Sequence, residues 1–168
     1  MSLHFEDLAV GMRFDTPGRT ITEADLVNFA GVSGDYNPLH TDEEFARTTM
    51  FGRRVAHGSL VLSLTAGLRQ RTGVFEGTLL ALLEIRSWRF LKPVFIGDTV
   101  RVTTTIQDVR ETSNSQRGVI VQRIDVVNQR GETVQQGELV SLIRRRQGSG
   151  TRSRPGRIKE NNGDEENT

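Results

Sequence analysis

GSLVLSLTAGLRQRTG, residues 58–73, is the stretch on which the fold turns. Leu60, Val61, Leu62, Leu64, Ala66 and Leu68 leave the first half of a helix over about residues 58–72 apolar nearly all round, and such a helix is wrapped by other elements. Gly58 and Ser59 open it. The cationic run Arg69–Arg71 suits the negative end of its dipole, and Gly73 terminates it. Ser63, Thr65 and Gly67 interrupt its apolar run, which falls far short of the ~20 residues that cross a bilayer, so the helix belongs inside a protein.

Downstream the period changes. Residues 79–91, 99–110, 117–128 and 133–145 read as strands, broken by Pro93, Gly97, Asn114 and the turn Asn128–Gly131. Val100, Val102, Thr104 and Ile106 alternate, as do Ile120, Ile124 and Val126, which predicts one buried face. Four strands joined tightly predict an antiparallel meander, and the apolar helix is the natural cover for its buried face. Trp88 and Phe90 read as core or interface packing, and Gly137 as a point where the last strand bends.

Upstream, Thr22 with Asp25 forms a capping box for a helix carrying Leu26, Val27 and Phe29 and ending near Gly31–Gly34. Thr41 with Glu44 predicts a second cap, ahead of Phe45 and Ala46. Between these anchored ends lies SGDYNPLH, residues 33–40. Asn37 and Pro38 kink it, so that the Asp35 carboxylate and the His40 imidazole can face one pocket and hold one water molecule between them, with burial tuning their proton affinities. A plain turn is the rival reading, since Asp35 and Asn37 can bond their own backbone. His57, just before the apolar helix, reads as a structural residue bonded to the preceding loop; His4 reads as incidental. Arg53 and Arg54 suit either the phosphates of a ligand or a solvated loop.

Composition narrows the classes. With 35% hydrophobic residues in a chain of 168, one compact domain over 1–146 is expected. Residues 147–168 hold four basic residues, four acidic ones and a single aliphatic, Ile158, which predicts a disordered polar tail. Arg152, Arg154, Arg157 and Lys159 leave contact with an anionic partner as the rival reading of that tail. A net charge of +1 disfavours nucleic-acid or membrane-surface binding by the domain. No cysteine is present, which excludes disulfides, thiolate zinc sites and a thiol nucleophile, and the first residues lack the apolar run of a signal peptide; a cytoplasmic protein is expected. Histidines at 4, 40 and 57 form no recognisable ligand spacing, so no metal is expected.

SGDYNPLH followed by TDEEFA, then VAHGSL, then RFLKPVFIGDTV resembles the MaoC-like dehydratase and (R)-specific enoyl-CoA hydratase family, over about residues 5–145. The resemblance implies an α+β single hot-dog fold, a curved antiparallel sheet wrapped around a central apolar helix, that forms a homodimer. It implies an acyl-CoA or acyl-carrier thioester substrate entering near the subunit interface, and a hydro-lyase of fatty acid metabolism without other cofactor. Asp35 and His40 are then the catalytic pair, Asp35 shuttling the proton while His40 orients the water, with Asn37 and Pro38 supporting the loop. Gly58, with Ser59, is the oxyanion and substrate-binding candidate, because a helix start offers unpaired amides and glycine places no Cβ before a carbonyl. Some members of that family carry a serine two turns into this helix where this chain has Ala66, with Ser63 and Thr65 nearby. Two rival functions stand beside hydration. A hot-dog thioesterase often carries its carboxylate on or beside the central helix, but no Asp or Glu lies between Glu44 and Glu76; the other rival is a noncatalytic acyl-thioester-binding partner subunit.

Overall fold

The computed structural model describes residues 2–146, and the polar segment 147–168 lies outside the described residues. A 3-10 turn, Phe5–Asp7, leads into two short strands, β1 (Arg13–Asp15) and β2 (Arg19–Thr20). Four helices follow: α1 (Glu23–Ser33), α2 (Pro38–Thr41), α3 (Glu43–Arg47) and α4 (Gly58–Gln70). The chain then forms β3 (Leu79–Phe90), β4 (Thr99–Glu111), β5 (Arg117–Asn128) and β6 (Thr133–Arg144), each ending within a residue of its expected boundary. All pair antiparallel in one six-stranded sheet on α4, the hot-dog arrangement expected from the motifs.

The strand order is β1-β4-β5-β6-β3, with β2 also on β4. The expected four-strand meander is therefore only three strands long: β3 pairs with β6, Leu79 opposite Ile143, and not with β4. The outer edge of β4 is taken by β1 and β2, segments of three and two residues and too short to show a period. The β3–β4 connection crosses the end of the sheet, held where the Leu91 and Lys92 amides both donate to Val134 O.

The α1 cap forms as expected: Thr22 Oγ1 accepts from the Asp25 amide at 3.3 Å, and Asp25 returns the bond to the Thr22 amide at 2.8 Å. The second cap does not. Asn37 and Pro38 start a turn of their own, so Thr41 closes α2 with its hydroxyl donating to the Tyr36 and Asn37 carbonyls, and Asp42 caps α3 by accepting from the Phe45 amide at 3.0 Å.

The main core lies between α4 and the sheet, where Leu60, Val61 and Leu68 meet Val100, Val102, Ile124, Val126 and Leu139. A second cluster closes the far end of the sheet, where Phe5 packs with Ile106, Ile120 and Ile143. Gly118 makes room for it, since a Cβ there would lie 2.2 Å from the Phe5 ring. α4 is less enclosed than its composition predicts: Ser59, Ser63, Ala66 and Gln70 form an exposed stripe in the single chain. Among the described residues the sheet covers only the opposite side of this helix.

Asp98, 4% exposed, fixes the turn into β4 by accepting from the Phe95 amide, Gln129 and Arg130. Burial pushes its pKa up, but those three bonds outweigh it and hold the carboxyl below its ordinary value of 3.8. The unfolded chain therefore takes up this proton first as pH falls. The stabilisation is complete above about pH 4 and is lost below it, toward the depressed folded value. Urea midpoints measured between about pH 5 and pH 2 are expected to fall less steeply in Asp98→Asn, from a lower starting stability. Parallel slopes would mean that the carboxylate contributes nothing to acid sensitivity.

Candidate active site

Asp35, in the loop between α1 and α2, and His40, in α2 itself, come together. A carboxylate oxygen of Asp35 and a ring nitrogen from each of His40 and His57 lie within 4.8 Å of one another. A water accepted by two groups at ~2.8 Å each spans such a gap. The turn chemistry is present as well: Asp35 Oδ1 accepts from the Asn37 amide at 3.3 Å and Asn37 Oδ1 from the Leu39 amide at 3.0 Å. The plain-turn reading of the segment is therefore met, and it is compatible with the Asp35 carboxylate lying beside His40.

His40 Nδ1 lies 2.8 Å from Val55 O. A carbonyl only accepts, so Nδ1 carries the hydrogen, the tautomer in which Nε2 is the ring's acceptor. His57 is 1% exposed, with Nε2 2.9 Å from Asp35 O, which makes it the strut of the loop that its place in the sequence suggests. The two imidazoles stack, centroids 3.8 Å apart and planes at 27°, and Phe29 leans on His57 at 5.1 Å. His57 thus holds both catalytic candidates, one by a bond and one by a face, a role that sequence position alone did not reveal. Three histidines far apart in the chain promised no ligand cluster, yet the fold joins two of them to Asp35, because α2 and the start of α4 meet. Expected burial of the pair is not met within one chain: Asp35 is exposed and His40 half-buried. Among the described residues no element covers the side on which these residues lie.

His40, Gly58, Ser59, Phe90, Leu91 and Val94 are among the residues lining a cavity of about 540 Å³ at the start of α4, with Asp35 beside His40. The first backbone bond of α4 runs from the Val61 amide to His57 O at 3.3 Å, so the amides of Gly58, Ser59 and Leu60 have no acceptor among the described residues. Glycine at 58 also has a packing reason. A Cβ there would lie 2.7 Å from the Phe90 ring, so the missing side chain admits Phe90, which lines the cavity beside the helix start. The helix start is held from the sheet: Trp88 Nε1 donates to Gln135 Oε1 at 3.0 Å, and Gln135 Nε2 donates to Gly58 O at 2.9 Å. Trp88 therefore packs in the core as expected, whereas Phe90 is exposed on the cavity wall.

The two arginines separate. Arg54 is fully engaged with Glu23 and Glu43, which hold its pKa well above the ordinary range, so it ties α1 to α3 and is not available for a phosphate. Arg53 lies over the Phe95 ring at 4.0 Å. Ser63 Oγ and Thr65 Oγ1 each donate back to a carbonyl of their own helix, at 2.8 and 2.7 Å, and Thr65 is buried. A further polar group was not anticipated. Arg69, Gln122 and Ser141 meet inside the fold, signalled in the sequence only by Gln122 and Ser141 interrupting the apolar alternation of β5 and β6.

Residues 6–128 match the model of the MaoC like domain. Protein MaoC of Klebsiella aerogenes is 41% identical over 114 residues, 68% of this chain and 33% of that protein, so the chain spans a third of this relative's length. The (R)-specific enoyl-CoA hydratase of Rhodospirillum rubrum is 38% identical over 103 residues, 61% of this chain and 69% of that protein. The solved structure of a monoamine oxidase regulatory protein from Archaeoglobus fulgidus superposes with a TM-score of 0.80 at 36% identity, covering 86% of this chain and 95% of that one.

Proposed function

This chain belongs to the MaoC-like domain family, and on that basis we propose that it is a hydro-lyase adding water reversibly to trans-2-enoyl thioesters of coenzyme A or an acyl carrier, giving (R)-3-hydroxyacyl thioesters. The observation that carries the reading is the convergence of Asp35 and His40 within 4.8 Å beside the open amides of α4. A hydratase among the relatives supports it.

The chemistry follows from the acceptors. A water donating one hydrogen to the Asp35 carboxylate and the other to His40 Nε2 turns a lone pair outward, toward C3 of an enoyl chain whose carbonyl faces the α4 amides. The C3–O bond forms as the π electrons move through C2 onto the thioester oxygen, where the Gly58 and Ser59 amides stabilise the charge. Asp35 takes the proton released by the water and returns it to C2, restoring the carbonyl. No electron acceptor or metal enters this balance, and we propose that the thioester is the one small molecule required.

A homodimer belongs to the same proposal. The free edge of β3 exposes Leu80, Leu82, Leu83 and Ile85, an apolar patch on the sheet's terminal strand that a second copy would cover. No helix among the described residues is long and apolar enough to cross a membrane, and the lack of cysteine supports a cytoplasmic setting. Crotonyl-CoA and longer trans-2-enoyl-CoAs are expected to lose their enoyl absorbance with the purified protein, without thiol release. Thiol release without hydration would establish a thioesterase, and binding without either reaction a partner subunit.

A further inference from the structure

A cavity of about 310 Å³ lies beyond the catalytic pocket, along the later turns of α4. Leu62, Ala66, Phe75, Leu79, Leu82 and Leu139 give it a mainly apolar wall, and Arg69 lines it as well. The two cavities lie along one seam. Ser59 lines the first and Ser63 the second, neighbours on the exposed stripe of α4 joined by the Ser63 Oγ bond to Ser59 O, and β3 contributes Phe90 to one and Leu82 to the other.

Arg69 is the anomaly of this wall. It stands four residues after Thr65 on the inward side of α4, its Nη2 donates to Gln122 Oε1, and Gln122 Nε2 donates on to Ser141 Oγ at 2.9 Å. Both acceptors are neutral and almost fully buried. Arg69 Nε is closed off from solvent with no hydrogen-bond partner, and no carboxylate among the described residues is within ion-pair distance of this guanidinium. Burial alone pushes its pKa down to about 10, so the group stays cationic at neutral pH without a counter-charge. A structural arginine would carry one, as Arg54 does.

We propose that this cavity receives the far end of the acyl chain and that Arg69, backed by Gln122 and Ser141, binds a carboxylate there, making the preferred substrate an enoyl thioester with an anionic terminus. The assignment rests on the hydratase reading for its thioester. It adds what that reading leaves open, the chemistry of the chain's end. Gly58 and Arg69 stand eleven residues apart on α4, about 16 Å along its axis, and the side chain leans back toward the helix start, so chains of about six to ten carbons fit.

Calorimetric titration with saturated acyl-CoAs of equal length, ending in a methyl or a carboxylate, reads the preference without turnover. The wild type is expected to bind the carboxylate-ended thioester about ten- to a hundred-fold more tightly. Arg69→Met is expected to remove or reverse that ratio, and Arg69→Lys to keep its direction. Equal or tighter binding of the methyl-ended thioester by the wild type, a preference that survives in Arg69→Met, or failure to bind either thioester overturns the proposal. Parallel hydration assays on the matching 2-enoyl thioesters keep the two readings apart: a carboxylate preference in binding with no hydration would remove the reaction and leave the Arg69 site standing.

Discussion

Asp35→Asn is expected to leave the chain folded and to lower the proposed turnover of trans-2-enoyl-CoA by about a thousand-fold, with KM little changed. Asparagine keeps an oxygen for the Asn37 amide, so the turn that aims position 35 survives. It cannot take a proton from water or return one to C2, and its NH2 group offers the water a donor where an acceptor is needed. His40→Gln is expected to cost about a hundred-fold, because the amide oxygen that replaces Nε2 is a far weaker base and the flexible side chain is no longer fixed by the ring's bond to Val55 O. The double variant should be little worse than Asp35→Asn alone, since the two groups act on one water. Loss of enoyl absorbance gives kcat and KM, and circular dichroism checks the fold. Turnover within threefold of wild type in both single variants would sink the mechanism.

The largest stability effect is expected at Gly137. The sequence reads this glycine as a bend, and the register of β3 on β6 slips opposite it, between Arg86 and Arg89; it also makes room for a neighbour, since a Cβ there would lie 2.4 Å from the Trp88 ring and 3.0 Å from the Trp88 Cα. The second contact is with backbone, so a new methyl group cannot be relieved by a side-chain rotation and must push β3 away from β6. Gly137→Ala is therefore expected to destabilise the fold by about 3 kcal/mol, at the upper end of the usual overpacking cost. The same displacement strains the Trp88–Gln135–Gly58 chain that holds the start of α4, so hydration should fall along with the urea midpoint. Gly67→Ala, which meets nothing within 4 Å, is the control and should leave both unchanged or slightly raise stability. An unaltered midpoint in Gly137→Ala would mean that Trp88 does not pack as described.

Much was legible because it is written in local patterns. Helix α4 follows from one apolar run between a glycine and a cationic turn, and the four long strands follow from alternation and turn residues, each a property of a few neighbouring positions. SGDYNPLH places Asp35 and His40 in one loop for the same reason: five residues and a proline-set bend keep two side chains close whatever the rest of the chain does. What misled was also local. Thr41 and Glu44 have capping spacing, but the turn started by Asn37 and Pro38 reaches Thr41 first and hands the cap to Asp42.

The order of residues was enough to specify α1, the central helix, the four long strands and the segment that joins Asp35 to His40, since short-range sterics, hydrogen bonding and apolar period decide these. Folding in three dimensions was needed to bring β3 across to β6, to stack His57 on His40, to seat Phe90 against Gly58, and to gather Arg69, Gln122 and Ser141 beside an apolar cavity. Each of those pairs residues far apart in the chain, and their contact is set by how the sheet closes on one side of α4, a global packing outcome that no window of sequence contains.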